Sequence, residues 1–400
     1  NHAAINPAFS FMYSATHQNN FDKQYRFMDP KIADELFAEM VDKPVAVTDS
    51  IPQLLNTQRP NIIFIILESF STHLMETFGG QPNVAVNMDK FAKEGILFSN
   101  FYGSSFRTDR GLASIISGYP GQPSTSIMKY PEKTDKLPSI PRSLKNAGYN
   151  LEYYYGGDAD FTNMRSYFYA TGYGRVMSCD DFTTEENSAR WGVPDHITFP
   201  RVEKEIARQT ARPFMKTFLT LSSHEPFDVP MSRLEHPYLN SVAYTDSCLG
   251  AFVDTLRQSP LWENLLIVFV ADHTMRYPAG IQEHEVKRHH IPMVWCGGAV
   301  RGHRVVEDYA SQIDLAATLL AQMHIDYSDF AFSKNIADTT QRHFAYYTYK
   351  DGLGYVDAEN RAVYDCDSES WLLKEGAQAD TCAKSAQAFL QKLYDDLGSR

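Results

Sequence analysis

Apolar runs that stop abruptly at charged or polar residues are the most regular feature of this chain. One run covers residues 62–67 and stops at Glu68, and a second covers 265–270 and is soon followed by Asp272 and His273. Uniformly apolar segments of this length are typical of central strands in a parallel sheet, which are buried on both faces. Ligands of such sheets bind at the carboxyl ends of the strands. The pattern therefore predicts an α/β fold with chemically active groups at the strand ends.

Strands and helices are predicted to alternate over most of the chain from residue 59 onward. Gly95 and Gly148 each follow a helical pattern and support a helix end there. The alternation indicates a mostly parallel sheet with helices on both faces, and residues 103–110 are interpreted as a polar loop. The predicted strands lie at 61–67, 96–102, 149–155, 214–221, 265–270 and 290–296, and the predicted helices at 87–94, 111–117, 137–146, 161–170, 197–209, 238–259 and 312–323.

The pattern changes after about residue 340. Short alternating segments at 343–349, 354–357 and 362–365 predict an antiparallel meander, and 383–397 predicts a final helix.

The predicted elements divide the chain into three parts. We expect an N-terminal arm or linker at 1–58 with one short helix at 33–40, a main α/β domain at 59–335 and a small C-terminal subdomain at 336–400. Because the chain begins with Asn1, we expect any signal or anchor to lie upstream of it.

The bulk composition excludes several classes of protein. The chain has 400 residues, of which 43% are hydrophobic and 13% aromatic, so it can bury a large core and is not disordered by composition. Its net charge of −12 argues against a nucleic-acid partner, because phosphate binding requires an excess of Lys and Arg. No apolar run approaches the roughly 20 residues that a membrane-spanning helix needs.

The five cysteines show no spacing typical of a metal site. Cys248 and Cys296 have apolar surroundings, which predicts that both are simply buried. Cys366 and Cys382 flank a short C-terminal segment and could form a disulfide in an oxidising compartment. The sequence leaves this pairing open.

Four predicted strand ends carry polar groups, namely Glu68, Asp158, His224 and the pair Asp272–His273. A single histidine at a strand end is more often structural than catalytic. Four such ends at one edge of a parallel sheet instead indicate an active site.

The groups at these strand ends would suit a divalent cation. Glu68, Asp272 and His273 supply two carboxylates and an imidazole, and Thr108 in the polar loop supplies a hydroxyl. Zinc and manganese are the natural choices for such ligands, with magnesium as a third candidate. Coordination lowers the pKa of a threonine hydroxyl and makes its oxygen available as a nucleophile.

Two arginines flank Thr108 in the sequence. Arg107 and Arg110 could hold an anionic substrate group or steady the loop, and the alternative is that both are solvated surface charges.

Four segments, in order along the chain, resemble the alkaline phosphatase–sulfatase superfamily. They are LESF at 67–70, FRTDRG at 106–111, SSHEPF at 222–227 and ADHT at 271–274. The chain is most similar to the branch that contains lipoteichoic acid synthases and phosphoglycerol transferases. The resemblance implies an alkaline-phosphatase-like α/β/α sandwich with a mostly parallel central sheet, a sulfatase-like catalytic domain at 59–335 and a small antiparallel C-terminal subdomain.

The resemblance also implies roles for individual residues. One divalent metal ion would be bound by Glu68, Thr108, Asp272 and His273, with Thr108 as the nucleophile. His224 would contact the phosphate of the substrate.

Two features of the chain need comment against the pattern of this branch. Where the branch often has an arginine in an FWNR-like motif that binds the phosphoglycerol head group, this chain has Met164, with Arg165 next to it. We keep Asp158 and Arg165 as predicted substrate contacts. His290 precedes the segment IPMVW, where the wider superfamily often has a histidine near the site, and a structural histidine at a strand start is the alternative.

True sulfatases convert the Cys or Ser of a C/S-x-P-x-R motif to an aldehyde hydrate. This chain has no such motif, and Thr108 is followed by Asp109, Arg110 and Gly111. Threonine cannot undergo that conversion, so we do not expect sulfate-ester hydrolysis by that route.

The resemblance predicts a metal-dependent transferase. It would move a phosphoryl-alkyl head group, of the phosphoglycerol or phosphoethanolamine type, from a phospholipid to a glycan or lipid hydroxyl through a Thr108-linked intermediate. A phosphodiesterase, phosphatase or sulfatase-type hydrolase is the first alternative, and a catalytically silent binding domain is the second. By analogy we expect an extracytoplasmic location, periplasmic or cell-surface, close to a membrane through an upstream anchor.

Overall fold

The computed structural model describes residues 20–41, 51–210 and 212–400. The other parts of the predicted N-terminal arm, 1–19 and 42–50, lie outside the described residues. The strands are β1 (Asn61–Leu67), β2 (Ile96–Phe98), β3 (Phe101–Tyr102), β4 (Asn150–Tyr155), β5 (Arg175–Met177), β6 (Phe214–Leu219), β7 (Leu265–Ala271), β8 (Met293–Cys296), β9 (Arg304–Val306), β10 (Ala310–Ser311), β11 (Ala345–Tyr349), β12 (Gly352–Val356), β13 (Arg361–Asp365) and β14 (Ser370–Glu375). The helices are α1 (Pro30–Met40), α2 (Val86–Glu94), α3 (Thr108–Ser117), α4 (Pro131–Thr134), α5 (Ile140–Asn146), α6 (Met164–Thr171), α7 (Asp195–Arg208), α8 (Pro237–Arg257), α9 (Asp314–Gln322) and α10 (Ala379–Ser399).

An eight-stranded sheet forms the centre of the main domain, with the strand order β5-β4-β6-β1-β7-β8-β2-β9. Every adjacent pair from β5 to β7 is parallel, and β8 runs in the opposite direction between β7 and β2. All residues of β1 and β7 are buried. Their uniformly apolar sequences suit this position, because helices cover both faces of the sheet.

The helices of the main domain pack in two groups. On one side α8 contacts α2 and α7, whereas on the other α3 contacts α5, α6 and α9. This arrangement confirms the predicted α/β/α sandwich with a mostly parallel central sheet.

The C-terminal part forms the predicted small antiparallel sheet. Strands β11 to β14 pair in sequence order, and α10 packs against β12, β13 and β14. The ring of Phe389 in α10 lies 4.4 Å from that of Tyr346, 5.5 Å from Phe332 and 5.5 Å from Phe37 of α1. One hydrophobic core therefore runs through both parts of the chain. The boundary between residues 335 and 336 stays a prediction.

Several predicted elements differ from the structure. The strand predicted at 96–102 is divided into β2 and β3, because the chain leaves the large sheet after Phe98 and next pairs with β10. The helix predicted at 161–170 is a 3-10 turn, Phe161–Asn163, followed by α6, since Thr162 and Asn163 both have positive φ. The short strands β5, β9 and β10 and the edge strand β14 were not predicted, because two or three residues, or a mostly exposed edge, carry little apolar pattern.

Two further expectations can be compared with the described residues. Cys366 and Cys382 are not joined, and Cys382 instead accepts a hydrogen bond of 3.4 Å from the guanidinium of Arg342. Cys296 is buried as predicted, whereas Cys248 is half-buried. Within the ranges that the structure describes, we find no helix with the length and apolar character to cross a membrane.

Candidate active site

Four neighbouring parallel strands end at one edge of the sheet. Strands β4, β6, β1 and β7 are adjacent in that order. Leu67 at the end of β1 pairs with Ala271 at the end of β7, so the next residues, Glu68 and Asp272, are neighbours. The register of two buried strands therefore brings together residues that are distant in the sequence.

Glu68, Asp272 and His273 form a cluster in which one ligand atom from each residue lies within 4.8 Å of the others. His273 Nε2 lies 3.5 Å from Glu68 Oε1 and 3.5 Å from Asp272 Oδ2. Thr108 Oγ1 completes the group, 3.4 Å from Glu68 Oε2 and 3.3 Å from His273 Nε2. The structure thus brings together all four predicted metal ligands.

The burial and hydrogen bonding of Asp272 test whether these residues could hold a cation. Its side chain is fully buried, Oδ1 accepts hydrogen bonds from the amides of Ser69 and His273, and Oδ2 has no hydrogen-bond partner among the described residues. Burial and the nearby charge of Glu68 raise the pKa of Asp272 above its usual range. A buried, unpaired carboxylate oxygen that faces a second carboxylate is the environment that a divalent cation stabilises, so the residues fit the predicted metal.

The imidazole of His273 is also oriented so that it could bind a cation. Its Nδ1 lies 3.1 Å from the carbonyl oxygen of Thr274, and we assign the proton to Nδ1, which leaves the Nε2 lone pair toward the cluster. Burial alone would lower the pKa of His273, but the charges of Asp272 and Glu68 outweigh it and raise the pKa.

Ser69 connects the two carboxylates. Its amide donates to Asp272 Oδ1 at 2.9 Å, and its hydroxyl donates to Glu68 Oε1 at 2.7 Å. These bonds require a left-handed backbone at Ser69, where φ is 58°, a conformation that costs about 1 kcal/mol for a residue with a side chain. The two hydrogen bonds to buried charged groups offset this cost.

The loop after β6 holds Glu68 from the other side. The amide of Glu68 donates to Thr220 Oγ1 at 2.9 Å, and Ser223 Oγ donates to the Glu68 carbonyl at 2.7 Å. The backbone of Glu68 is therefore fixed by two side chains of the loop after β6.

Thr108 is the first residue of α3, and the helix therefore begins three residues before the predicted start at Gly111. The sequence predicts that the helix starts at Gly111. In the structure Gly111 lies inside the helix, and its small size matters for packing. A Cβ atom at this position would lie 2.1 Å from the carbonyl oxygen of Asp272. The missing side chain lets the first turn of α3 lie directly against the end of β7 and brings Thr108 to the cluster.

The position of Thr108 at a helix N-terminus has an electrostatic consequence. The amides of Arg110 and Gly111 donate to the Arg107 carbonyl, which leaves the amides of Thr108 and Asp109 at the open end of the helix, and the helix dipole gives this end a partial positive charge. An anion that contacts Thr108 Oγ1 is stabilised by both features.

A cleft of about 350 Å³ opens beside Thr108. A larger cleft of about 740 Å³ lies near the amino ends of the strands, and no residue of the metal cluster lines it. The smaller cleft is lined by Phe106, Arg107, Thr108, Asp109, Tyr155, Phe161, Thr162, Met164, Trp191, His224 and His273.

His224 reaches this cleft from the loop after β6. Its Nδ1 lies 2.8 Å from the carbonyl of Glu225, so with the proton on Nδ1 the other ring nitrogen is available to a ligand. The imidazole lies 5.0 Å from the ring of Trp191, measured between centroids.

Asp195 holds the same loop in place. Its fully buried carboxylate accepts hydrogen bonds from the amides of Leu221 and Ser222, at 2.9 and 3.2 Å, and from Thr245 Oγ1 at 2.8 Å. Burial raises the pKa of Asp195, although these hydrogen bonds oppose the shift.

The two arginines beside Thr108 differ in their surroundings. Arg107 is exposed, lines the cleft and forms no ion pair with any described residue. Arg110 is buried, donates to the Thr125 carbonyl at 2.6 Å and lies 4.4 Å from the ring centroid of Phe106. Arg107 is thus placed to meet a ligand, whereas Arg110 steadies the loop.

Arg165 and Asp158 lie near the cleft but do not line it. Arg165 forms ion pairs of 2.8 Å with Asp160 and 3.0 Å with Asp180, so its charge is engaged by these two carboxylates. Asp158 is exposed at the end of β4, and its Oδ1 accepts a hydrogen bond from the amide of Asp160.

His290 is not brought to the cluster. Its Nε2 lies 2.7 Å from the carbonyl of Ser99, and its ring stacks on Tyr102 at 4.9 Å between centroids. Burial lowers the pKa of His290 to about 4, so the imidazole is neutral near pH 7. These contacts are those of the alternative, a structural histidine.

Sequence reasoning missed the supporting residues. Gln312 donates to the carbonyls of Ala271 and Asp272, both at 2.6 Å, and accepts from the amide of Ser104. It therefore ties the end of β7 to the loop before α3. Ser69 lies inside the LESF segment at 67–70, so the sequence offered a signal for it. No local pattern distinguishes Gln312 or Asp195 from other polar residues at helix starts.

Replacement of Gly111 by alanine tests the close approach of α3 and β7. Alanine is the better helix former by about 1 kcal/mol, yet its Cβ would collide with the Asp272 carbonyl. We expect Gly111→Ala to lower the unfolding free energy by about 2 kcal/mol and to reduce activity by displacing Thr108. Thermal unfolding and turnover of a soluble phosphodiester measure the two effects.

Gly174→Ala is the matched control for this substitution. A Cβ at Gly174 would meet its nearest neighbour, the Leu151 carbonyl oxygen, at 3.6 Å, which is an ordinary contact. If Gly111→Ala were as stable and as active as the wild type, the position of α3 would not depend on its close packing against β7.

Comparisons with known proteins agree with this geometry. A family model described as Sulfatase matches residues 60–325. Lipoteichoic acid synthase 2 of Bacillus subtilis (strain 168) is 24% identical over 308 residues, which are 68% of this chain and 46% of the relative. Phosphoglycerol transferase I of Xanthomonas campestris pv. campestris (strain B100) is 24% identical over 313 residues, which are 72% of this chain and 44% of the relative. The chain thus spans less than half the length of these relatives.

Two solved structures share the fold over nearly the whole chain. A protein in the alkaline phosphatase superfamily from Vibrio parahaemolyticus has a TM-score of 0.79 at 25% identity and covers 94% of this chain and 98% of its own. The lipoteichoic acid synthase LtaP from Listeria monocytogenes has a TM-score of 0.73 at 17% identity, with coverage of 93% and 99%. The predicted alkaline-phosphatase-like fold and the resemblance to lipoteichoic acid synthases and phosphoglycerol transferases are confirmed, and the match over residues 60–325 shows that the chain belongs to the sulfatase family.

Proposed function

We propose that this chain is the catalytic part of a metal-dependent transferase. It moves a phosphoryl-alkyl head group, of the phosphoglycerol or phosphoethanolamine type, from a phospholipid to a hydroxyl of a glycan or lipid acceptor. The supporting observation is the position of Thr108 Oγ1, 3.4 Å from Glu68 Oε2 and 3.3 Å from His273 Nε2 at the start of a helix. The names of the curated relatives agree with this class of reaction.

The ligands proposed for one divalent ion are Glu68, Thr108, Asp272 and His273. When bound, manganese or zinc, with magnesium as a third candidate, supplies positive charge that lowers the pKa of the Thr108 hydroxyl and stabilises negative charge on the phosphoryl oxygens. The mixture of two carboxylates, one imidazole and one hydroxyl suits these ions.

In the first step Thr108 Oγ1 attacks phosphorus. The bond from Oγ1 to phosphorus forms while the bond from phosphorus to the oxygen of the diacylglycerol breaks, and the proton of the Thr108 hydroxyl passes to the departing oxygen directly or through solvent. The amides of Thr108 and Asp109 at the start of α3 and the guanidinium of Arg107 stabilise the charge on the phosphoryl oxygens. His224 also lines the cleft, and its ring donates to these oxygens only when Nε2 carries a proton.

In the second step the acceptor hydroxyl replaces Thr108 at phosphorus. The bond to Oγ1 breaks, the bond to the acceptor oxygen forms, and the acceptor proton passes to Oγ1 directly or through solvent. Thr108 is half-buried at the wall of the cleft, so an acceptor can approach from the side that the diacylglycerol has left.

A hydrolase is the second candidate function. The same half-exposure of Thr108 admits water as readily as an alcohol, and water would release a free phosphoryl head group. Product analysis with and without an added acceptor alcohol distinguishes the two, because a transferase yields the acceptor phosphodiester in place of the free head group.

The proposed donor places the enzyme at a membrane surface. An extracytoplasmic position, periplasmic or cell-surface, with an anchor elsewhere in the full-length protein, is part of the proposal and follows from the phospholipid donor that it assumes.

Substitution of Thr108 tests the nucleophile. We expect Thr108→Ala to lose at least about 10³-fold in turnover, because the attacking oxygen is absent, while Thr108→Ser keeps measurable activity. Intact-mass measurement should detect a head-group adduct on the wild-type protein and none on Thr108→Ala. Full activity of Thr108→Ala would refute the assignment.

Removal of metal tests the cluster by a measurement that does not depend on activity. Because a bound cation relieves the repulsion between Glu68 and Asp272, a saturating metal at about 100 times its Kd should stabilise the fold by about 2.7 kcal/mol. We expect EDTA to lower the thermal midpoint and added manganese or zinc to restore it. In Asp272→Asn the shift should be largely lost, and an unchanged midpoint in the wild type under all these conditions would contradict a metal site.

A further inference from the structure

We infer that the head group taken by this cleft carries an ammonium group, so that the donor belongs to the phosphoethanolamine class and not to the phosphoglycerol class. This inference rests on the proposed function and specifies the substrate of the same site. It is based on the aromatic wall of the cleft, the position of Arg107 and the side chain at position 164.

An aromatic wall lines the cleft next to Thr108. It consists of Tyr155, Phe161 and Trp191. Phe161 is 59% exposed and Trp191 43% exposed, and their ring centroids lie 6.5 Å apart with an angle of 53° between the planes. Aromatic faces attract ammonium groups within about 6 Å, and several rings around one space are a known way to recognise amino-alcohol head groups.

Trp191 is held so that its ring, and not its polar atom, is offered to a ligand. The indole N–H donates to the Glu225 carbonyl at 2.6 Å. Gly192 packs so closely on the end of β4 that a Cβ there would lie 2.1 Å from the Gly156 carbonyl oxygen. The guanidinium of Arg190 lies 5.8 Å from the indole centroid but does not line the cleft, so a ligand ammonium has to approach the ring from the cleft side.

The charge that lines the cleft lies at one end of it. Arg107, next to Thr108, forms no ion pair with a described residue and is placed for the phosphate. A head group with a phosphate and an ammonium would meet this guanidinium at one end and the aromatic faces at the other.

Met164 supports the same substrate class. It lines the cleft where the resembling branch has the arginine of its FWNR-like motif. A thioether donates no hydrogen bond, so a glycerol head group would lose the partner that the arginine supplies there. A buried hydroxyl without a partner is strongly disfavoured, whereas an ammonium is compatible with a soft, polarisable sulfur.

Paired donors test the inference on the metal-loaded protein. Phosphatidylethanolamine and phosphatidylglycerol with identical acyl chains are presented in the same detergent micelles, and the Thr108 adduct and the released diacylglycerol are measured. We expect phosphatidylethanolamine to be preferred at least tenfold in kcat/KM. Met164→Arg should shift this ratio toward phosphatidylglycerol by at least tenfold, and Phe161→Ala should raise the KM for phosphatidylethanolamine.

Tyr169→Ala is the matched control for the aromatic substitutions. Tyr169 is also an exposed aromatic residue of α6, 50% exposed, but it does not line the cleft, so its replacement should leave the donor ratio unchanged. Hydrolysis of bis(p-nitrophenyl) phosphate, which has no head group, checks that each variant is folded and able to react.

The outcomes separate this inference from the proposed function. A Thr108 adduct that forms faster from phosphatidylglycerol, or at equal rates from both donors, would overturn the ammonium site and leave the transferase intact. Hydrolysis of bis(p-nitrophenyl) phosphate without an adduct from either phospholipid would overturn both. A tenfold preference that Met164→Arg reverses would establish the head-group site.

Discussion

Two carboxylates buried beside each other are the constraint on which the rest of this structure depends. Glu68 and Asp272 follow paired ends of β1 and β7, and their ligand atoms lie within 4.8 Å. Two negative charges at that separation repel by about 3 kcal/mol at an effective dielectric constant of about 20. Replacing either residue with an apolar one would remove this repulsion, and it would therefore stabilise a fold that binds no cation there. The pair is retained with further structural costs around it, which include a left-handed backbone at Ser69.

The surrounding structure brings polar atoms to these carboxylates without neutralising them. Ser69 donates to both, and the amide of His273 donates to Asp272, but within the part of the chain that the structure describes no lysine or arginine pairs with either one. The loop after β6, fixed by the buried Asp195, adds neutral hydrogen bonds to the backbone of Glu68. Hydrogen bonds fix the positions of the oxygen atoms while leaving their negative charge for a cation. This is what distinguishes a candidate metal site from a structural ion pair such as Lys334–Asp314, whose charges meet at 2.9 Å.

The sequence was sufficient for the parts of this site that depend on strand ends. Long apolar runs fix β1 and β7, and the residues that follow them reach the same edge because parallel strands share a direction. The sequence was insufficient where a residue acts through close packing. Gly111 was interpreted as a helix start, because its role is visible only when β7 lies against α3. Gln312 and Asp195 were missed for the same reason, since their partners are distant in sequence and chemically ordinary backbone groups. His290 and Arg165 were predicted by position in a motif, and the structure gives each of them another partner.

The proposed reaction chemistry and the proposed head-group recognition depend on different parts of this chain. The proposed metal ligands and nucleophile lie on the ends of central strands and the first turn of a helix, where a small displacement would disturb the core. Phe161 lies on a 3-10 turn whose next residues have positive φ, and Trp191 lies in a loop that meets β4 through Gly192. Such segments can change side chains without moving the strands beneath them. When two proteins share the residues at these strand ends, the similarity therefore strongly supports a common type of reaction but only weakly supports a common substrate. Residues on the turn and loop, such as Met164 at the cleft wall, are the better guide to the head group of the proposed substrate.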